Sequence, residues 1–129
     1  MLGRVLTRVD VRRPDLRRAI PVDLRQRMTG ARVTGLTRRA KYGIVETDRG
    51  HSMIFHLGMS GRWRVDAGEI GTHDHLVLET DLGRVLALCD PRRFGLLDLV
   101  DTASRDQWAP FAALGPEPYQ KNGINSQLV

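Results

Sequence analysis

Short apolar segments recur along this chain at intervals of about 8–12 residues, each closed by a break rich in Gly, Pro or Asp. That rhythm leaves room for strands and little for helices. Between Arg4 and Arg12 the residues alternate, with Val5, Thr7, Val9 and Val11 on one face and Arg4, Leu6, Arg8, Asp10 and Arg12 on the other. Period two with β-branched residues reads as a half-exposed strand, which Pro14 and Asp15 then break. From Pro21 to Met28, the residues Val22, Leu24, Arg25 and Met28 allow a short helix that Gly30 stops. Residues 30–42 read as another strand. Two hairpin signals follow: Ile44–Thr47 and Met53–Phe55 flank an Asp48-Arg49-Gly50 turn, and Leu76–Glu79 and Val85–Leu88 flank Asp81-Leu82-Gly83. Arg62–Val65 and Leu96–Val100 add single strands. Thr102 or Ser104 is placed to cap a short helix running to Trp108, with Pro110 helping to end it. About seven or eight short strands with two minor helices predict a mainly β domain, sandwich or barrel-like.

At 129 residues and 41% hydrophobic, the chain has the size of one domain and enough apolar material for a core. Cys89 is its only cysteine, which excludes an intramolecular disulfide and any zinc site built from two or more thiolates. No apolar run approaches the ~20 residues that span a bilayer, and arginines interrupt the first twenty positions where a signal core would lie. The expectation is a soluble chain in a reducing, cytosol-like compartment. The net charge of +5 is unevenly spread: residues 1–41 carry +9 and residues 42–129 carry −4, and 18 of the 20 basic residues are arginine. A basic half joined to an acidic half suits a polyanion-binding face. The alternative is a generic arginine-rich surface.

Three polar clusters interrupt the strands, each with two readings. Arg38-Arg39-Ala40-Lys41-Tyr42 puts three cations at a strand end, where they could meet successive phosphates or be solvated. In His56-Leu57-Gly58-Met59-Ser60-Gly61, two glycines could push Met59 outward as a wedge between bases, with His56 facing phosphate. Met59 could equally be a core methionine. Asp90-Pro91-Arg92-Arg93-Phe94-Gly95 presents two guanidiniums beside a ring, suited to unpaired or distorted nucleic acid. Its alternative is a turn with Phe94 in the core and the arginines paired to Asp90 or Asp98. His73-Asp74-His75 resembles half a metal site, but His51 and Cys89 lie in separate segments and no third ligand is evident. A hydrogen-bonded structural or phosphate-contacting pair is the better reading. Asp74 and Asp90 could be general bases in principle, with no partner visible. No P-loop, GxSxG elbow, HExxH or dinucleotide fingerprint is present.

Taken in order, these clusters resemble the N-terminal domain of bacterial formamidopyrimidine-DNA glycosylases. The resemblance runs over about residues 3–118 and includes Arg12-Arg13-Pro14-Asp15-Leu16-Arg17 before the clusters and Leu114-Gly115-Pro116-Glu117-Pro118 after them. It implies a two-layer β-sandwich with short flanking helices over residues 1–118, and a polar, disordered tail over 119–129. It further implies base-excision DNA repair: excision of oxidised purines such as 8-oxoguanine and formamidopyrimidine, then strand cleavage by β,δ-elimination. The damaged nucleotide is flipped out, and Met59, Arg92 and Phe94 correspond to the side chains that fill the space it leaves. Lys41 corresponds to a supporting lysine near the lesion's phosphates, His56 and Arg93 are implied backbone contacts, and His73 and His75 complete the expected DNA-contacting set. The implied partner is double-stranded DNA with oxidised purine lesions, in the bacterial cytoplasm at the nucleoid and away from membranes.

The family's nucleophile is an N-terminal proline followed by an acid/base glutamate, and neither has a counterpart in this sequence. Its helix–two-turn–helix and four-cysteine zinc finger also have none, so no metal or other cofactor is expected. The expectation is therefore a truncated, catalytically incomplete form that keeps its DNA contacts, with a separately encoded C-terminal half as a candidate partner. The alternative is a non-enzymatic β-rich module binding DNA or protein, or a degraded gene fragment.

Overall fold

Among the described residues eight strands form, in two antiparallel sheets of four. The computed structural model describes residues 1–113. In chain order the elements are β1 (Leu6–Val11), α1 (Leu24–Met28), β2 (Val33–Arg39), β3 (Tyr42–Thr47), β4 (His51–His56) and β5 (Arg62–Val65). Then come β6 (Asp74–Thr80), β7 (Val85–Cys89), β8 (Leu96–Asp101), a 3-10 helix (Thr102–Gln107) and α2 (Ala109–Ala112). One sheet has the order β1-β6-β7-β5 and the other β2-β3-β4-β8. Both expected hairpins are present, as β3–β4 and β6–β7. The mainly β, two-layer reading stands. The Leu114-to-Pro118 block and the tail over 119–129 lie outside the described residues.

The core fills the gap between the sheets. Leu6, Val9, Trp63, Leu76, Leu78, Leu86 and Leu88 face Val33, Leu36, Val45, Met53, Phe55 and Leu97. Phe55 and Trp63 meet edge to face across it, ring centres 5.4 Å apart. Leu24 and Met28, one helical turn apart on α1, are both fully buried and extend the same core. The second sheet is covered on its outer side too: Ile44 and Ile54 pack with Phe111, flanked by Tyr42, Val100 and Trp108. Strands buried on both faces lose the alternation of apolar and polar residues, and β4 accordingly carries Met53, Ile54 and Phe55 in succession, all buried.

Three local expectations are corrected. The alternation of residues 4–12 does not hold through β1, because Leu6 faces Thr80 and Arg8 faces Glu79, leaving Thr7 as a bulge. The extra residue turns Leu6 inward with Val9 and leaves Thr7 exposed. Thr102 does not cap the 3-10 helix; its hydroxyl hydrogen-bonds the hydroxyl of buried Ser52 at 2.7 Å. Pro110 does not end a helix but sits in the first turn of α2, where its missing N–H has no helical partner to lose. That same turn carries Phe111 into the outer core.

Candidate nucleic-acid interface

Strand register brings together two clusters that lie some thirty residues apart in sequence. β4 pairs with β8 and ends on His56 opposite Leu96, while β5 pairs with β7 and begins on Arg62 opposite Cys89. The connections 57–61 and 90–95 therefore both cross between the sheets, side by side, at one end of the sandwich. Asp90 fastens them. Its carboxylate is 1% exposed, and it accepts the Ser60 hydroxyl at 2.8 Å on one oxygen and the Gly95 N–H at 2.8 Å on the other. Its carbonyl accepts His75 Nε2–H at 2.8 Å and the Arg93 N–H at 3.2 Å.

Two glycines let the backbones close. Gly58 has φ +64°, and a Cβ there would lie 3.0 Å from the Phe94 carbonyl. A Cβ on Gly61 would lie 2.2 Å from the Leu57 carbonyl oxygen, to which the Gly61 N–H is bonded at 2.8 Å. With their backbones held this way, the loops turn their large side chains outward. Met59 is 92% exposed and Phe94 47% exposed, and the Arg92 guanidinium lies 5.0 Å from the centre of the Phe94 ring. Met59 is thus not a core methionine, nor does Phe94 dip into the core. The arginines of the turn do not pair with the two aspartates either. Asp90 is taken as above, and Asp98 accepts Trp108 Nε1–H at 2.6 Å. Arg93, at φ +56°, reaches Asp15 at 3.8 Å.

The cation cluster at the β2–β3 turn divides. Arg39 is only 4% exposed, with Asp106 at 3.3 Å and the Phe111 ring centre at 5.1 Å, so it belongs to the outer core rather than to a phosphate-facing row. Lys41 is exposed at the tip of the turn, beside Tyr42 and close to His56. The histidine pair divides as well: His73 is exposed, while His75 is buried and supports the Asp90 turn from beneath. Asp74 and Asp90 are both buried and bonded, Asp74 to Arg64 and to the Gly71 N–H, which leaves neither as an open general base. Among the described residues no cluster of three or more His, Cys, Asp or Glu could hold a metal ion.

Arg17, which the sequence offers only as the end of a motif block, and Arg18, which it does not mark, stand beside Lys41. Together with Tyr42, His56, Leu96 and Pro110 they line a cleft of about 240 Å³. Burial, and then the positive charges of Lys41 and Arg17, hold the His56 imidazole below its ordinary pKa, so the cleft has a positive field even with His56 neutral. The charge split along the sequence does not map onto the surface. Arg4, Arg8, Arg13 and Arg27, all in the basic half, have carboxylate partners. Among the described residues, Arg17, Arg18 and Lys41, which line the cleft, have none, and neither does Arg92 on the Phe94 turn.

Residues 1–97 match the family model described as the formamidopyrimidine-DNA glycosylase N-terminal domain. Over 116 residues the chain is 71% identical to the formamidopyrimidine-DNA glycosylase of Rhizorhabdus wittichii and 66% identical to that of Novosphingobium aromaticivorans, covering 90% of this chain and 43% of each relative. It superposes with a TM-score of 0.75 and 26% identity on Lactococcus lactis Fpg in complex with abasic-site DNA, covering 88% of this chain and 42% of that one. A complex of the same protein with FAPY-dG DNA gives 0.74. The chain spans less than half the length of these relatives.

Proposed function

The chain belongs to the formamidopyrimidine-DNA glycosylase N-terminal-domain family, and on that premise we propose that it supplies the lesion-probing, void-filling wall of a base-excision glycosylase acting on oxidised purines. The observation that carries the reading is the outward thrust of Met59 and Phe94 from two loops fastened together by one buried carboxylate. An exposed methionine beside an exposed ring, with Arg92 against it, is costly to leave in water and useful inside a gapped base stack. Lys41, His56, His73 and Arg93 are assigned to the sugar–phosphate backbone around the gap. His75 acts through Asp90 and not on DNA directly. The proposal gives these residues recognition; none of them is assigned cleavage of the N-glycosyl bond.

The test uses duplexes with and without a void. An abasic-site duplex offers the gap without the cost of unstacking a base, so the chain should bind it several-fold more tightly than an intact duplex of the same sequence. Met59→Ala combined with Phe94→Ala should remove that preference in fluorescence anisotropy. Because both side chains are exposed, the pair should move stability by no more than about 0.5 kcal/mol each. Equal binding of the two duplexes by the unaltered chain would sink the void-filling assignment.

His56 adds a pH signature. The free imidazole is held below its ordinary pKa by burial and by Lys41 and Arg17, whereas a phosphate beside it favours the imidazolium. Binding therefore takes up a proton, and affinity should rise as pH falls through the bound-state pKa towards the lower pKa of the free imidazole. His56→Gln should flatten that rise, measured with the same duplex at constant ionic strength. An unchanged profile would remove His56 from the phosphate contacts.

A further inference from the structure

We propose that Arg17 and Arg18 form, with Lys41 and His56, a phosphate track for the DNA backbone along the cleft beside the Asp90 loops. The inference rests on the reading of this end as a DNA-binding face, and it adds two residues and a direction to it. Segment 14–20 is a built feature. Leu16 and Ile20 are buried in the main core, Asp15 and Ala19 form an antiparallel bridge, and Leu16 and Ile20 N–H groups bond the carbonyls of Arg18 and Pro14 at 2.9 Å. The Arg17 N–H then bonds the Gly95 carbonyl at 3.2 Å, and Asp15 lies within ion-pair distance of both Arg13 and Arg93. The segment is thereby tied to the Phe94 turn, and it holds two adjacent arginines over the cleft.

The charge at the cleft has no internal partner. Among the described residues no carboxylate lies within ion-pair distance of Arg17, Arg18 or Lys41, although nine other arginines have one. Three cations lining one cleft of about 240 Å³ repel one another, and after burial it is Lys41 and Arg17 that hold His56 below its ordinary pKa. A single phosphodiester monoanion does not balance three cations. Successive phosphates of one strand do, and arginine's forked donors suit them. The track would start at Lys41 and His56 and pass along Arg17 and Arg18 towards Arg93.

Salt dependence tests this with the whole chain. Each phosphate contact contributes about −0.9 to the slope of log K against log salt concentration on duplex DNA. Arg17→Gln with Arg18→Gln should flatten the slope by about two and weaken binding uniformly on abasic-site and intact duplexes. Arg25→Gln, an exposed arginine on α1 away from this end, should leave the slope as it is. Arg17→Lys with Arg18→Lys keeps the charge and should retain the slope, which separates lost contacts from a disturbed segment. An unaltered slope in the glutamine pair overturns the track, whereas absence of any salt-dependent binding by the unaltered chain overturns the function reading itself. Inorganic phosphate at matched ionic strength should compete no better than chloride. Displacement of DNA by low-millimolar phosphate would assign the cleft to free phosphate instead.

Discussion

Asp90→Ala should cost about 3 kcal/mol of folding stability, while Asp90→Asn should cost under about 1 kcal/mol. The alanine removes the acceptor for two donors, the buried Gly95 N–H and the half-buried Ser60 O–H, both now at 2.8 Å. Hydrogen bonds to a carboxylate contribute about 1.5 kcal/mol or more each, and the stranded Gly95 N–H has no water to turn to. Asparagine escapes both penalties. Its amide oxygen can take the Gly95 N–H, and its amide N–H can donate to Ser60, whose hydroxyl is free to rotate and accept. Thermal unfolding should place the alanine variant about 10 °C below the unaltered chain and the asparagine variant close to it. If the two variants fall together, negative charge and not hydrogen bonding holds the loops. The same alanine variant should lose discrimination between abasic-site and intact duplexes, since Met59 and Phe94 ride on the two loops it releases.

Much of the architecture was legible because turn chemistry and periodicity are local. Asp48-Arg49-Gly50 and Asp81-Leu82-Gly83 mark their hairpins from within a few residues, and the structure places turns there. What failed was set by distant partners. The bulge at Thr7 depends on how β1 meets β6, some seventy residues away, and nothing in residues 4–12 announces it. Arg39 reads as a third phosphate cation until α2 brings Phe111 and the 3-10 helix brings Asp106 onto the same sheet face. The site was legible in its parts and not in its assembly. Glycines around Met59 and the Arg92-Arg93-Phe94 run pointed to outward side chains, but Asp90 read as an arginine partner or a general base. Only the paired ends of β4 with β8 and β5 with β7 make it the joint between the loops. Arg17 and Arg18 were two among eighteen arginines. Their distinction is the cleft they share with Lys41 and His56, and that is a property of the folded surface.

Gly61→Ala should be comparably damaging by a steric route. The added methyl would sit 2.2 Å from the Leu57 carbonyl oxygen and 3.0 Å from its carbon. Both are backbone atoms, so no side chain can swing aside, and the 57–61 turn must open. Opening breaks the Gly61 N–H bond to Leu57 and draws Ser60 away from Asp90. Overpacking of this kind costs about 1–3 kcal/mol, and the lost bonds put the expectation at the upper end. The route matters because it shares an endpoint with Asp90→Ala: both variants release the Met59 loop from the Phe94 loop. Once Ser60 has left Asp90, removing the carboxylate can no longer cost that bond. The double variant should therefore be less destabilised than the two single losses added together, by about 1 kcal/mol, as groups in one network are. Strict additivity would mean that the loops are held separately. Any preference for a void would then depend on each loop alone, and Met59 and Phe94 would act as two probes rather than one.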